Sequence, residues 1–460
     1  MPAKSLNPLD RTFLAGETRE SMMHVGSLLH FSPPKDGPND FHRRLREELK
    51  WETTVYPPWN LKLRHPELLS SPLQAWVEDK NFDLEYHVRR SALPTPGDER
   101  ELGILVSRLH SHPIDFHRPP WEVHFIEGLE GNRFAVYFKV HHSLVDGFTG
   151  MRILMRSLSS SPDELETPMF FAIPPADRPP REHDHDHASI DSLFDALRGQ
   201  IGATKDIGRA LMHIARATKE EHLVSPLQAP KSVLNGKIGK NRRFATQAVD
   251  VNRVKRVAKA SGGTINDVLL ALCAGSLRRF LLEREALPEK TLTAMIPVNV
   301  RPKDDQGGGN AVGAILASLA TNVADPQERL ETIIASTKSA KEQLQGMSKS
   351  AIMQYGGLLL APILLSMIPG AVGRIRPAFN VVVSNVPGPE EPLYFRGWKL
   401  DATYPLSIPF HGHALNITVS GYAGALDFGF IGDRDALPHL QHIAVYSGEA
   451  LEELEKGIRG

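Results

Sequence analysis

The residues best suited to acid–base chemistry lie in one short segment, His141-His142-Ser-Leu-Val-Asp146-Gly147. A neutral imidazole, whose ordinary pKa is about 6.5, can accept a proton from an alcohol or a thiol at physiological pH. The preceding residues, 133–140, alternate aromatic and β-branched side chains, which predicts a strand. Successive side chains of a strand point to opposite faces, so one histidine can face a cleft as a general base while the other faces the interior.

Other uses of this segment have less support. A histidine pair in a strand is often purely structural. A metal site on His142 and Asp146 lacks a third ligand at a recognisable spacing, so no metal is predicted. Ser143 lacks the G-x-S-x-G turn that exposes a nucleophilic serine. The preferred hypothesis is a general base, with Asp146 pairing with an arginine or fixing the turn, and Gly147 letting the backbone turn closely into the next helix.

The elements that must hold this segment are mixed α and β. Strand 133–140 runs into a helix at 147–158, and the second half of the chain repeats the mixture, with helices at 251–260 and 264–285 and Thr264 as a candidate N-cap. Further strands are predicted at 292–298, 314–322, 379–384, 414–420 and 425–431. The last two strands flank a short turn and predict a hairpin, and an amphipathic helix from Asp435 closes the chain.

The 460 residues divide into two predicted lobes, 1–175 and 244–460. Residues 159–184 are rich in serine, proline and acidic side chains, which predicts the start of a linker. The linker, 176–243, also contains a predicted pair of helices at 189–222.

Composition excludes several classes of function. Lys and Arg (53) nearly cancel Asp and Glu (54), so nucleic acid is not expected as a partner. Cys273, the single cysteine, cannot form an intramolecular disulfide, and the first residues lack a signal-peptide pattern. A cytoplasmic protein is therefore expected.

Five separated segments carry a resemblance to a known family. They are PPWEVHFIEGL (119–129), HHSLVDG (141–147), TINDVLLALC (264–273), PVNVRP (297–302) and SNVPGP (384–389). In this order they resemble the bacterial wax ester synthase/acyl-CoA:diacylglycerol acyltransferase family, whereas HHxxxDG alone indicates only a superfamily. Pro120 departs from the family pattern, in which a leucine precedes the tryptophan. The resemblance implies a chloramphenicol acetyltransferase-like α/β fold, with two similar mixed-sheet lobes flanking a substrate tunnel and joined by a partly helical linker.

The resemblance also implies a reaction. His142 is the expected general base for direct acyl transfer from acyl-CoA to a long-chain alcohol (wax ester) or a diacylglycerol (triacylglycerol), with His141 and Asp146 as orienting groups. Acyl-CoA is a co-substrate, and no cofactor is expected. Two alternatives remain: a condensation-type enzyme with a carrier-bound acyl donor, and a non-catalytic lipid-binding protein.

Six positions are predicted to contact or frame the substrates. Asn266 is the leading side-chain candidate for the oxyanion, although an equally good interpretation makes it a helix cap. Gly147 belongs to the HHxxxDG segment. Asn299, Arg301, Asn385 and Gly388 occupy family-motif positions that favour a role in the architecture of the tunnel, and Gly388 between two prolines predicts a rigid crossover loop that bridges the lobes.

Several surface features remain open. A basic cluster at 237–243 could bind the phosphates of CoA or be ordinary solvated surface. The uncharged segment 350–373 is interrupted by prolines and glycines, so it favours buried helices, a tunnel wall or an interfacial patch over a spanning helix. Such a patch could bring the protein into peripheral contact with the inner membrane face or with lipid bodies. His183, His185 and His187 favour a solvated charge run, and His411 and His413 could face the tunnel.

Overall fold

The computed structural model describes residues 4–34, 45, 54–145, 147–175, 229–299, 312–345, 355, 359 and 376–459. The strands in this part of the chain are β1 (Lys4–Ser5), β2 (His24–Ser32), β3 (Leu61–Leu63), β4 (Ala75–Glu78), β5 (Val88–Ala92), β6 (Trp121–Leu129), β7 (Arg133–His141), β8 (Arg242–Asp250), β9 (Thr293–Asn299), β10 (Val312–Ser318), β11 (Val381–Val386), β12 (Tyr394–Phe395), β13 (Trp398–Leu406), β14 (Leu415–Tyr422) and β15 (Ala425–Asp433). The α-helices are α1 (Pro8–Gly16), α2 (Leu84–His87), α3 (Glu99–His110), α4 (Gly147–Met155), α5 (Val251–Ser261), α6 (Ile265–Leu282), α7 (Pro326–Gln345) and α8 (Gln441–Arg459).

A six-stranded mixed sheet, in the order β12-β13-β2-β7-β6-β5, forms the first lobe. β5 and β6 are parallel and the other pairs are antiparallel. β7 lies inside the sheet, and its alternate side chains point to opposite faces. Phe134 and Phe138 pack into one apolar core, and Ala135 and Tyr137 pack towards α3 in another. Both faces of β7 are therefore buried, and its last residue, His141, is held rigidly.

A second six-stranded mixed sheet, in the order β10-β9-β11-β14-β15-β8, forms the second lobe. Its largest apolar core joins α6 and α8 to inward-facing side chains such as Ile417, Phe428 and Phe430. β14 and β15 form the predicted hairpin, in which Ala423 and Gly424 both have positive φ. The two similar mixed-sheet lobes confirm the predicted fold class.

The chain crosses from the second sheet back to the first after β11. β12 and β13 follow β11 in sequence but pair in the first sheet, with β13 antiparallel to β2. The loop that contains Gly388 therefore bridges the two sheets, as predicted. The predicted C-terminal lobe, 244–460, did not anticipate this exchange. Two of its strands, β12 and β13, belong to the N-terminal sheet.

The exchanged strand β13 lies against β15. The amide of Thr403 donates a hydrogen bond of 2.8 Å to Oδ2 of Asp427, and a Cβ on Gly429 would lie 1.8 Å from the carbonyl oxygen of Pro405. Only glycine permits this backbone approach. One amide on the free edge of β13 is thus satisfied by a side chain of the second sheet, which helps to fix one lobe against the other.

Most predicted elements are confirmed with small shifts of their ends. The largest shift is in the closing helix, which begins at Gln441 rather than at Asp435. The predicted helix pair at 189–222 lies outside the described residues, as does most of the apolar segment 350–373. No helix in the described part of the chain has the length and apolar character needed to cross a bilayer.

Candidate active site

The predicted catalytic segment lies where strand β7 turns into helix α4. His141 is the last residue of β7, and residues 142–144 form a turn before α4 begins at Gly147. His141 is buried, and His142, in the turn beyond the strand, is half-buried. Asp146 lies outside the described residues.

His141 holds the turn that follows it. Its Nδ1 accepts a hydrogen bond of 3.2 Å from the amide of Ser143, and its carbonyl oxygen accepts one of 3.0 Å from the amide of Leu144. Its own amide donates to the carbonyl oxygen of Pro120 at 2.9 Å. Because that last bond uses only the backbone of residue 120, proline in place of leucine leaves it intact. His141 is therefore an orienting residue for the loop that carries His142.

The ring nitrogens of His141 have different roles. A backbone amide can only donate, so Nδ1 is an acceptor and the proton of a neutral ring resides on Nε2. Nε2 lies 3.4 Å from Oε2 of Glu17, whose side chain is also buried. This contact is electrostatic, since its geometry does not meet that of a hydrogen bond. The Ser143 hydroxyl lies 2.6 Å from Nδ1 and is buried, so it is not available as a nucleophile.

Glu17 is a site residue that sequence reasoning missed. It follows helix α1, and its Oε2 accepts a hydrogen bond from the amide of Met23. The carbonyl oxygen of Met23 in turn accepts a hydrogen bond of 2.9 Å from the amide of His142. One carboxylate thus touches His141 through its side chain and is linked to the backbone of His142 through a single residue.

The imidazole of His142 stacks on the ring of Phe13. Their centroids are 4.0 Å apart and the ring planes differ by 23°. Phe13 lies in α1, the same helix that positions Glu17, and it also packs against the apolar core of the first lobe. Helix α1 therefore orients both histidines, one through an aromatic face and one through a carboxylate.

A buried lysine anchors the strand behind the histidines. Lys139 donates hydrogen bonds to the carbonyl oxygens of Leu109 and His112, at the C-terminal end of α3, and lies 3.4 Å from Glu122. Burial lowers the pKa of Lys139, and Glu122 opposes that shift. Burial would raise the pKa of Glu122, but its partners hold it at about 2. Both side chains are committed to structure, so neither is a candidate for proton transfer to substrate.

The structure brings together two predicted site residues of the second lobe. Nδ2 of Asn385, on β11, donates a hydrogen bond of 2.7 Å to Oδ1 of Asn266, and both residues are exposed. Asn266 is not the helix cap: Thr264 caps α6 in a reciprocal capping box with Asp267. The alternative interpretation of Asn266 is therefore wrong. Its Oδ1 is occupied, which leaves Nδ2 as the donor that could meet a ligand.

The structure gives fewer contacts for the remaining predicted substrate positions. A Cβ on Gly388 would lie 2.1 Å from the carbonyl oxygen of Gly421, so glycine is needed there to pack the crossover loop on β14. Asn299 ends β9 opposite Val312. Gly147 begins α4, and Arg301 lies outside the described residues.

The structure also places two residues whose roles the sequence left open. Arg242 of the basic cluster is buried and lies 3.7 Å from Asp433, so it is a structural cation rather than a solvated one. His413 is buried with Nε2 at 3.1 Å from the carbonyl oxygen of Phe379, and burial lowers its pKa to about 3. It is therefore a neutral core residue. Within the described residues, no group of His, Cys, Asp and Glu is arranged to hold a metal ion.

Comparison with known proteins gives a consistent result. The family model for the wax ester synthase/diacylglycerol acyltransferase catalytic domain matches residues 6–269, and that for the C-terminal domain of the same family matches 308–455. A putative diacylglycerol O-acyltransferase of Mycobacterium tuberculosis is 50% identical, covering 98% of this chain and 97% of its own. The wax ester synthase/diacylglycerol acyltransferase of Marinobacter aquaeolei has 38% identity and a TM-score of 0.78, covering 99% and 100%. The first condensation domain of the calcium-dependent antibiotic synthetase, at 17% identity, TM-score 0.59 and coverage of 99% and 96%, shares the fold.

Proposed function

Because the chain belongs to the wax ester synthase/diacylglycerol acyltransferase family, we propose that it transfers a fatty acyl group from acyl-CoA to the hydroxyl of a long-chain alcohol, of a diacylglycerol, or of both. The observation that carries the proposal is the half-buried imidazole of His142, held by its backbone bond to Met23 and by the ring of Phe13. An oriented imidazole in the turn that follows β7 can accept the proton of a bound hydroxyl, which is the task of a general base.

The proposed reaction is a direct transfer. His142 removes the proton of the acceptor hydroxyl as its oxygen attacks the thioester carbonyl carbon. The tetrahedral intermediate then collapses, the carbon–sulfur bond breaks, and the CoA thiolate leaves and takes up the proton that His142 holds. Ser143, the nucleophile closest to the histidines in sequence, is 2% exposed, and its lack of exposure favours transfer without an acyl-enzyme.

Two further groups support the transition state in this proposal. Asn266 donates Nδ2 to the developing oxyanion, and its amide is oriented by the hydrogen bond from Asn385. Glu17 acts as a positioning residue, since it holds His141 electrostatically and fixes the backbone that bonds to His142. Acyl-CoA is a co-substrate, and no bound cofactor enters any step.

We place the enzyme in the cytoplasm, in peripheral contact with the inner membrane face or with lipid bodies, because both of its proposed products are hydrophobic. The test is CoA release from palmitoyl-CoA by the purified protein, measured with no acceptor, with alcohols of several chain lengths and with one diacylglycerol. We expect release only with an acceptor, and the panel gives the ratio of wax ester to triacylglycerol formation. Acceptor-independent release would indicate a thioesterase. No release in any arm would favour a carrier-dependent donor or a non-catalytic lipid-binding protein.

A further inference from the structure

A loop at residues 64–74 joins β3 to β4 and directs two leucines into solvent. Leu68 is 65% exposed and Leu73 is 73% exposed, the two highest values among the large apolar side chains that the structure describes. A single exposed leucine is ordinary in a folded protein. Two of them in one short loop form a candidate contact surface.

The loop is braced by its own hydrogen bonds. The amides of Leu68 and Ser71 donate to the carbonyl oxygens of His65 and Leu68 at 3.0 and 2.9 Å. The side chain of Gln74 is 2% exposed and closes the loop. Its Oε1 accepts a hydrogen bond of 3.0 Å from the amide of His65, and its Nε2 donates to the carbonyl oxygens of His65 and Leu68 at 2.9 and 3.2 Å. A well-bonded backbone therefore holds the leucines in solvent.

Helix α1 anchors the loop. Nη1 of Arg11 donates to the carbonyl oxygens of Ser71 and Pro72, both at 3.3 Å. The same helix carries Phe13, whose ring stacks on the imidazole of His142. One helix thus links the exposed loop to the proposed base.

A second contact joins the loop to the residues that pack on His141. Oε1 of Glu67 lies 2.7 Å from Nε2 of His117. The ring of the preceding residue, Phe116, meets the imidazole of His141 edge-on, with the centroids 5.0 Å apart. The loop is therefore attached on two sides to groups that hold the two histidines.

An apolar cluster lies beneath the loop. Leu69 packs against this cluster, and so do Phe116 and Leu144, which lies in the turn after β7. Leu69 is half-buried, whereas its neighbour Leu68 and the nearby Leu73 face solvent. The loop consequently has an inner side that shares a core with the catalytic turn and an outer side that carries two exposed leucines.

We propose that Leu68 and Leu73 insert into the phospholipid surface from which the enzyme takes its acceptor. This inference rests on the proposed function, because long-chain alcohols and diacylglycerols reside in lipid rather than in water, and a loop beside the catalytic turn would bring the site against their source. A protein partner is less suitable, since a stable interface buries roughly 800 Å² on each side. The exposed neighbours of the leucines are polar, namely Arg64, Glu67 and Ser70. A few apolar side chains within a polar surface suit shallow insertion at the boundary between headgroups and acyl chains.

The first arm of the test measures co-sedimentation with vesicles of phosphatidylcholine and dioleoylglycerol, in the absence of acyl-CoA. Binding is scored whether or not the protein turns over substrate, so failure of the docking surface and failure of the proposed function are separate results. We expect the double variant Leu68→Ser/Leu73→Ser to bind about tenfold or more weakly than wild type, because the leucines no longer leave water on binding. Both positions are exposed, so the variant should keep the melting temperature of wild type. The matched control, Leu165→Ser, changes a leucine that is 61% exposed and lies outside the loop, and it should bind like wild type.

The second arm reports insertion at the loop itself. Cys273 is the single cysteine and is buried, so a cysteine introduced by Leu73→Cys can be labelled selectively with an environment-sensitive nitrobenzoxadiazole dye. We expect the emission of this dye to rise when vesicles are added. The same dye attached through Leu165→Cys should change little.

Four results would overturn the proposal. The first is a wild-type protein that does not sediment with the vesicles, and the second is equal sedimentation of wild type and the double variant. The third is a dye at position 73 whose emission stays unchanged while the protein sediments, because another surface would then make the contact. The fourth is a dimer, detected by sedimentation equilibrium, that the double variant loses, because the leucines would then cover a second copy of the chain.

Discussion

The ring of Phe13 stacks on the imidazole of His142 at a centroid distance of 4.0 Å. This contact links the first helix of the chain to a loop that lies more than a hundred residues later in sequence. Because Phe13 also packs against the apolar core of the first lobe, the plane of the imidazole is set by that core. The stack therefore gives the proposed base one orientation towards the acceptor hydroxyl.

Removing this stack should slow the reaction more than it weakens substrate binding. Phe13→Ala is expected to lower kcat by about three- to tenfold, the range that corresponds to one aromatic pair, with a smaller change in KM. Phe13→Tyr keeps the aromatic face and should retain most of the activity. Steady-state CoA release checks this. Full activity of Phe13→Ala would mean that the stack does not orient His142.

Loss of the Glu17 charge should impair catalysis without unfolding the site. Glu17→Gln keeps an acceptor for the amide of Met23 but removes the negative charge beside His141, so we expect kcat to fall by about tenfold and KM to change little. The matched control is Glu20→Gln, an exposed carboxylate three residues later, which should behave like wild type. An unchanged kcat for Glu17→Gln would remove the positioning role.

The Asn266–Asn385 pair should act as one unit. Asn266→Ala removes the proposed oxyanion donor and Asn385→Ala removes the group that orients it, so each should lower kcat/KM by about tenfold or more. The double variant should be no worse than the more impaired single variant. Asn252→Ala, which changes an exposed asparagine at the same position of the neighbouring helix α5, should leave activity unchanged. Additive losses would show that the two side chains act separately.

Asp427 should make stability depend on pH. Burial raises its pKa to about 7, so the folded state holds this proton while the unfolded state, with an ordinary pKa near 4, loses it. The stability contributed by the protonated carboxyl is present below pH 4 and is lost as pH rises towards 7. Asp427→Asn, which keeps an acceptor for Thr403, should therefore gain stability relative to wild type between pH 5 and pH 8. Chemical denaturation of both proteins at pH 5 and at pH 8 measures this change. A difference in unfolding free energy between variant and wild type that is the same at the two pH values would contradict the prediction.

Periodicity in the sequence predicted elements such as β7 and α6, because their burial leaves its pattern in the element's own residues. It did not reveal other strands of the first sheet, among them β2, β6 and β13. It could not predict that β13 pairs with β2. The alternation of a strand specifies which face is buried, but it does not specify the strand that lies beside it. The exchange of strands between the lobes could therefore be seen only in the folded structure.

The site, like the fold, was predicted only where the residues themselves carry a pattern. His141, His142, Asn266 and Asn385 stood in recognisable motifs, and the structure gives each of them a definite position among its neighbours. Glu17 belongs to no motif, and its contacts come from residues six and 124 positions away. No signal in the sequence marked it, because its role depends on the fold, in which β2 pairs His24 with His141.

The central claim is that His142 takes the proton from the acceptor hydroxyl. The direct measurement is release of CoA from palmitoyl-CoA in the presence of a long-chain alcohol, by wild type, by His142→Ala and by His112→Ala, which replaces an exposed histidine of the same lobe. We expect His142→Ala to be about 10²- to 10⁴-fold slower, and His112→Ala to match wild type. Equal rates for wild type and a correctly folded His142→Ala would contradict the claim.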